Sequence, residues 1–194
     1  MKKITFFVAT LGMLFVGLST AKADTFSPYV SGNVGVAVGN NINVRDMGGN
    51  TIGYIPNNSS LVLTVAVGAK VNPNVRAEVE LGYQGVNPKY ATKSDEKASI
   101  YTGLVNGYYD IYSEGITPFV TGGVGVGLFS PTADNVNNRT TFAYQVGAGV
   151  SVPVAKNINV DATYRHSGLS EVKYNNVAFT PSNDAFLLGV RVGF

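Results

Sequence analysis

His166 is the one side chain of this 194-residue sequence suited to act as a general base near neutral pH. Ser167 stands beside it, with Ser170 and Glu171 a few residues on. A serine, a histidine and a carboxylate are the parts of a hydrolase, but the same residues suit an interfacial histidine with no catalytic task, and that plainer reading is preferred. A second chemical signal is Gly123-Val-Gly-Val-Gly127, which looks like a phosphate-cradling loop. Such a loop must open a helix. Here the glycines alternate with valines inside a period-two run and no helix pattern follows. They are expected to leave room on one strand face for Phe119, Tyr108 and the arginines, and to let the sheet curve. The third signal is a set of charges on alternate strand positions: Lys70, Arg76, Glu78, Glu80, Asp110, Asp161, Arg165 and Arg191. The signs balance. Charges taken out of water are costly unless paired, so an enclosed network of ion pairs is expected.

Composition narrows the chemistry. Zero cysteines exclude disulfides, thiolate metal sites and thiol nucleophiles, and a single histidine excludes a His-rich metal centre. The Asn-rich connections lack the spaced acidic pattern of a calcium loop. No catalytic residue, metal or cofactor is therefore expected. Lys2 and Lys3, the apolar stretch Ile4 to Leu18 and the small-residue site Thr20-Ala21-Lys22-Ala23 read as a cleaved secretory signal, residues 1–23. Its removal takes three lysines, so 14 basic residues fall to 11 against 12 acidic ones and the net charge passes from +2 to −1. No basic patch for nucleic acid remains. Residues 24–194 read as one domain.

Period-two runs recur through that domain, and helical periodicity is absent. Eight strands are expected, at about Tyr29–Gly39, Ser60–Lys70, Val75–Gln84, Ser99–Tyr112, Thr117–Phe129, Thr141–Val152, Ile158–Ser167 and the terminal Ala185–Phe194. Each has about the ten residues that a tilted strand needs to cross a bilayer. The connections alternate: 40–59, 85–98, 130–140 and 168–183 are long and polar, whereas 71–74, 113–116 and 153–157 are tight turns. A weak internal repeat relates the segments that begin at Asn74 and Asn157.

One strand face is apolar and nearly free of charge, and the other carries the charges named above. The loop alternation and the signal segment point to an apolar face turned to lipid and a polar face turned to a lumen. Tyr83, Tyr101, Phe142, Tyr164 and Phe186 then lie at the outer rim, and Tyr109 and Phe194 at the inner rim, as two aromatic girdles.

The terminal row Phe186, Leu188, Val190, Val192 and Phe194 resembles the C-terminal assembly signal of outer-membrane barrels. Further segments carry a resemblance to a family: Asn106-Gly-Tyr-Tyr-Asp-Ile111, Thr117-Pro-Phe-Val-Thr-Gly-Gly-Val-Gly-Val-Gly127, Phe142-Ala-Tyr-Gln-Val-Gly-Ala-Gly149 and Asp161-Ala-Thr-Tyr-Arg165. The chain resembles the opacity-protein and small surface-antigen family, related in architecture to the OmpA membrane domain. The resemblance spans the second half of residues 24–194, the first half agreeing only in pattern, and is more specific for fold than for function. It implies an all-β, eight-stranded antiparallel up-and-down transmembrane barrel in the Gram-negative outer membrane, inserted by the barrel-assembly machinery, with long extracellular loops. Members are described as adhesins, surface antigens or porin-like proteins.

A barrel of eight strands has a lumen that side chains fill, so a charge-plugged, non-enzymatic surface protein is the leading expectation and a small-solute porin the alternative. A lipid A-modifying enzyme ranks third. Outer-membrane lipid A deacylases carry a motif like His-x-Ser-Asn, from which His166-Ser-Gly-Leu departs. Arg45, Lys89, Lys93, Lys97, Arg139 and Lys173 are the candidate loop contacts, for lipopolysaccharide or for host or matrix ligands.

Overall fold

The computed structural model describes residues 26–38, 42–45, 51–55, 59–86, 98–111, 115–131, 139–170, 172–174 and 177–194. For 42–45, 51–55, 86, 98, 131, 139, 172–174 and 177–180 the backbone alone is described. The expected signal segment and Lys89, Lys93 and Lys97 lie outside these residues.

Valine, tyrosine and phenylalanine alternate with glycine, serine and threonine along most of the chain, a pattern suited to a pleated surface with two unlike faces. Eight long strands result: β1 (Ser27–Val38), β4 (Ser60–Asn72), β5 (Val75–Val86), β6 (Ala98–Asp110), β7 (Thr117–Pro131), β8 (Arg139–Ala155), β9 (Ile158–Leu169) and β12 (Ser182–Gly193). Each pairs antiparallel with the next, and β1 pairs with β12, from Tyr29 opposite Gly193 to Val38 opposite Asp184. The sheet is thus a closed barrel without edges.

All eight expected strands are present, with shifted ends. β4 and β8 run into the expected turns 71–74 and 153–157, leaving Pro73-Asn74 and Lys156-Asn157 as two-residue turns. A register shift between Lys70 and Asn72, and another between Pro153 and Ala155, takes up one extra residue before each turn. The two segments of the weak repeat therefore leave the same kind of bulged turn. In the third turn, Gly115 supplies a φ of +88°, a left-handed conformation that side chains disfavour. The preceding strand ends at Asp110 rather than Tyr112, and Ile111 N–H donates to Pro118 O at 2.8 Å.

The larger correction concerns the expected loops 40–59 and 168–183. They contain β2 (Ile42–Arg45), β3 (Thr51–Ile55), β10 (Val172–Tyr174) and β11 (Val177–Thr180), which form a second sheet in the order β10-β11-β2-β3. The physical reason is register. Ala37 pairs with Ser60 and Ile42 pairs with Ile55, so both arms advance by the same number of residues. The β2–β3 pairing thus keeps the register of the β1–β4 ladder. The β12–β11 arm is one residue shorter than its neighbours, and Pro181 separates its two strands. Each strand of the second sheet lies next in sequence to a barrel strand: β2 to β1, β3 to β4, β10 to β9 and β11 to β12.

Candidate functional site

Burial in this protein is inverted. The largest fully buried side chains are Arg76, Gln145, Glu80 and Asn106, whereas Val65, Val105, Val124, Phe186 and Leu188 are exposed. Water does not tolerate such an arrangement, but lipid outside and a polar interior explain it. Tyr83 packs at a tilt against its register partner Tyr101, and Tyr164 against Phe186, each at 5.4 Å between ring centroids. Phe142 is exposed beside them in the outer band, and Tyr109 and Phe194 are exposed at the opposite rim. From Phe186 to Phe194 the strand covers about 27 Å, or about 20 Å of membrane after tilt. Leu188, Val190 and Val192 lie on that same outward row between the two bands.

The lumen is built in storeys. Lowest, Arg76 donates from Nε and Nη2 to Asp110 at 2.8–3.0 Å, and its guanidinium lies 4.3 Å from the Tyr108 ring centroid. At the same level Arg191 Nη2 donates to Ser151 Oγ at 2.7 Å and to Asp161 Oδ1 at 3.2 Å. Glu78 sits above, 4.0 Å from Arg76 Nη1, and accepts from Tyr108 Oη at 3.0 Å. In the middle storey Arg165 meets Glu80 through two parallel bonds, Nη1 to Oε1 at 3.0 Å and Nη2 to Oε2 at 2.9 Å. These residues come from β9 and β5, which stand four strands apart in a ring of eight, so the pair spans the lumen. Gln145 Nε2 donates to Asn106 Oδ1 at 2.7 Å beside it.

Lys70 departs from expectation. It is half-buried next to the bulge that ends β4, and it makes no ion pair among the described residues. The network thus holds three guanidiniums and four carboxylates rather than balanced charges. The glycines also differ from expectation in detail. Gly149, not the 123–127 run, leaves room for Phe119, whose Cζ lies 2.6 Å from where a Cβ would stand. A Cβ on Gly123 would meet Asn106, one on Gly125 the backbone of β6, and one on Gly127 the Leu169 side chain.

The upper third of the lumen is apolar, which the emphasis on charge had missed. Ile100, Leu104, Ala143 and Leu169 form one buried cluster and Ala37, Val62, Ala185 and Leu187 another. A chain of hydrogen bonds crosses the mouth: Ser167 Oγ to Asn183 Oδ1 at 3.2 Å, Asn183 Nδ2 to Gln84 Oε1 at 3.0 Å, and Gln84 Nε2 to Ser60 Oγ at 3.4 Å. The amides Asn106, Gln145, Gln84 and Asn183 carry no charge and were not singled out in the sequence. Their signal was an amide on the lumen face of a strand.

His166 lies at the outer rim with a partner the sequence reading had not assigned. Its Nδ1 is 2.9 Å from Asp184 Oδ1, and Tyr164 Oη donates to the same oxygen at 2.7 Å. Ser167 faces the lumen instead, bonded to Asn183, so no serine hydroxyl reaches the imidazole among the described residues. Among those residues, no group of His, Asp and Glu is arranged to hold a metal.

Of the candidate loop contacts, Arg45 and Lys173 both pair with Ala178, so the second sheet sets them in one row two strands apart. Arg139 opens β8.

The comparisons with known proteins agree with this architecture. The family model described as outer membrane protein beta-barrel domain matches residues 7–194. No curated protein matches the chain. Among solved structures, Neisserial surface protein A (NspA) is similar at 19% identity and a TM-score of 0.62, covering 86% of this chain and 97% of that one. OprG from Pseudomonas aeruginosa is similar at 10% identity and 0.59, with 88% and 96% covered. The outer membrane protein AlkL is similar at 18% identity and 0.54, with 90% and 93% covered. At these identities the likeness is one of fold. A family match over nearly the whole chain, an apolar exterior and a closed eight-stranded wall converge: the chain belongs to the outer membrane protein beta-barrel domain family and is an integral protein of the outer membrane.

Proposed function

We propose that this is a non-enzymatic surface protein, an opacity-like surface antigen or adhesin or an envelope structural protein, whose lumen is plugged and whose extracellular elements meet the partner. The observation that carries this reading is the Arg165–Glu80 pair. It joins opposite walls through two charge-assisted bonds in the middle of the barrel. A small-solute porin requires a continuous water path, and both this pair and the Asn183–Gln84 bond cross that path. With the interior occupied, selectivity for a partner falls to the extracellular side. There the row of Arg45 and Lys173 suits anionic lipopolysaccharide, or host or matrix glycans. In the same reading, residues 1–23 direct export and are removed. The outward row from Phe186 to Phe194 presents the barrel to the assembly machinery.

The test is single-channel conductance of the refolded chain lacking residues 1–23 in planar bilayers, with Arg165→Ala alongside. A silent parent and a leaky variant are expected. Steady conductance of the parent would overturn the plug and make this a small porin.

A further inference from the structure

Register assigns the residues of the second sheet to two unlike faces. Lys173 pairs with Ala178, Ala178 with Arg45 and Arg45 with Thr51, so these four positions form one row on one face. Thr180, Asn43 and Tyr54 pair in the next row of that face. Val172, Val177, Phe179, Ile42, Val44 and Ile55 fall on the other face. Both cations of the sheet thus share a face with its threonines and its asparagine.

We propose that this polar face binds a linear anionic polysaccharide that carries one carboxylate on every second sugar and runs across the strands. The inference rests on the reading that extracellular elements meet the partner, and it names that partner's chemistry.

Spacing carries the choice. Along the row the residues alternate: a cation on β10, a small residue on β11, a cation on β2 and a hydroxyl residue on β3. Neighbouring strands stand ~4.8 Å apart, which sets the positions of Lys173 and Arg45 about 10 Å apart. A pyranose in an extended chain advances by close to one strand spacing. One sugar therefore falls opposite each strand, and carboxylates on alternate sugars match β10 and β2.

Other glycans fit less well. A chain charged at every sugar sets half of its anions opposite Ala178 and Thr51, positions that carry no charge. A neutral chain offers the two cations no countercharge. The phosphates of a lipopolysaccharide are clustered on a branched saccharide and have no such period. Thr180, Asn43 and Tyr54 add a hydroxyl, an amide and a phenol, side-chain types that hydrogen-bond to sugar hydroxyls.

The experiment is an NMR titration of the refolded protein, in phospholipid nanodiscs free of lipopolysaccharide, with hyaluronan oligosaccharides that span the four strands. Hyaluronan has one carboxylate on every second sugar. Saturable amide shifts are expected at Lys173, Ala178, Arg45 and Thr51. Arg45→Gln and Lys173→Gln should each weaken binding about two- to fivefold, the loss of one exposed ion pair. The carboxyl methyl ester of the same oligosaccharide should bind more weakly still. The deciding variant combines Lys173→Ala with Ala178→Lys, which keeps the net charge but sets the two cations on adjacent strands. It should lose as much affinity as Lys173→Gln. Amide shifts of the unligated variants report whether β10 and β11 keep their pairing, and the single substitutions serve where the exchange does not. Undiminished binding by the folded exchange variant would show a response to net charge alone and overturn the proposal. So would absent shifts in the parent, or an ester that binds as tightly as the acid. If added lipopolysaccharide shifts these amides and hyaluronan does not, the proposal falls while the reading of a surface-contact protein stands. Binding is read independently of conductance, so a conducting barrel would refute the plug without touching this site.

Discussion

The Arg165–Glu80 pair allows plug and pore to be separated by a stability measurement. Both side chains are almost wholly buried, at 6% and 1% exposure, and two bonds of 2.9–3.0 Å join them. With charge centres about 4 Å apart and an effective dielectric constant of ~20, the attraction is about 4 kcal/mol. Glu80→Gln leaves a guanidinium without its countercharge in an enclosed lumen, and the expected loss is about 3–5 kcal/mol. Were the lumen an open aqueous channel, water and salt would screen the pair, and the loss would be that of a surface ion pair, about 0–1 kcal/mol. The two outcomes do not overlap.

The assay is reversible urea unfolding in lipid vesicles. It is followed by tyrosine fluorescence, since the chain has 11 tyrosines and no tryptophan, and by the altered gel mobility of the folded barrel. Arg165→Met and the double variant complete a cycle. The double variant should be no less stable than either single one, because it removes both charges together. A loss below about 1 kcal/mol for Glu80→Gln would refute the reasoning. So would a double variant whose loss equals the sum of the singles.

Further expectations follow from other parts of the wall. Val124→Arg puts a charge on the lipid face midway between Leu128, opposite Tyr101, and Val120, opposite Tyr109, and should cost about 2–4 kcal/mol, read as a lower folded fraction in vesicles. Gly149→Ala sets a Cβ against the Ala162 backbone oxygen as well as Phe119 Cζ and should destabilise by about 1–3 kcal/mol in the same unfolding assay, with Phe119→Leu restoring only the share due to the ring. Asp184→Asn acts at the outer interface and should change stability by less than about 1 kcal/mol, since such depth is tolerant of polar changes. His166→Ala should leave the lipid A of expressing cells unchanged by mass spectrometry, and an altered acylation pattern would revive the enzymatic reading.

Much of this protein was legible before folding, because a strand's period of two assigns each residue to a face without knowledge of its neighbours. Val34, Val36 and Val38, and likewise Phe186, Leu188 and Val190, were set on one face by strand alternation, the loop pattern and the signal segment turned that face outward, and they are exposed on the barrel. The eight strands and the shared face of Arg76, Glu80 and Arg165 were set in the same local way, whereas the antiparallel order was implied by the family resemblance. What alternation leaves open is which lumen residues meet. Arg165 and Glu80 are 85 residues apart, and only closure of eight strands brings their storeys opposite each other. The same closure left Lys70 beside a bulge at the rim, gathered Ile100, Leu104 and Val62 into an apolar upper third, and faced His166 with Asp184 across β9 and β12. The second sheet escaped for a related reason: its strands are short and belong to two distant connections. β2–β3 keeps the register of the β1–β4 pairing and β10–β11 follows the β9–β12 pairing, and only the pairing of β11 with β2 depends on β1 having closed on β12.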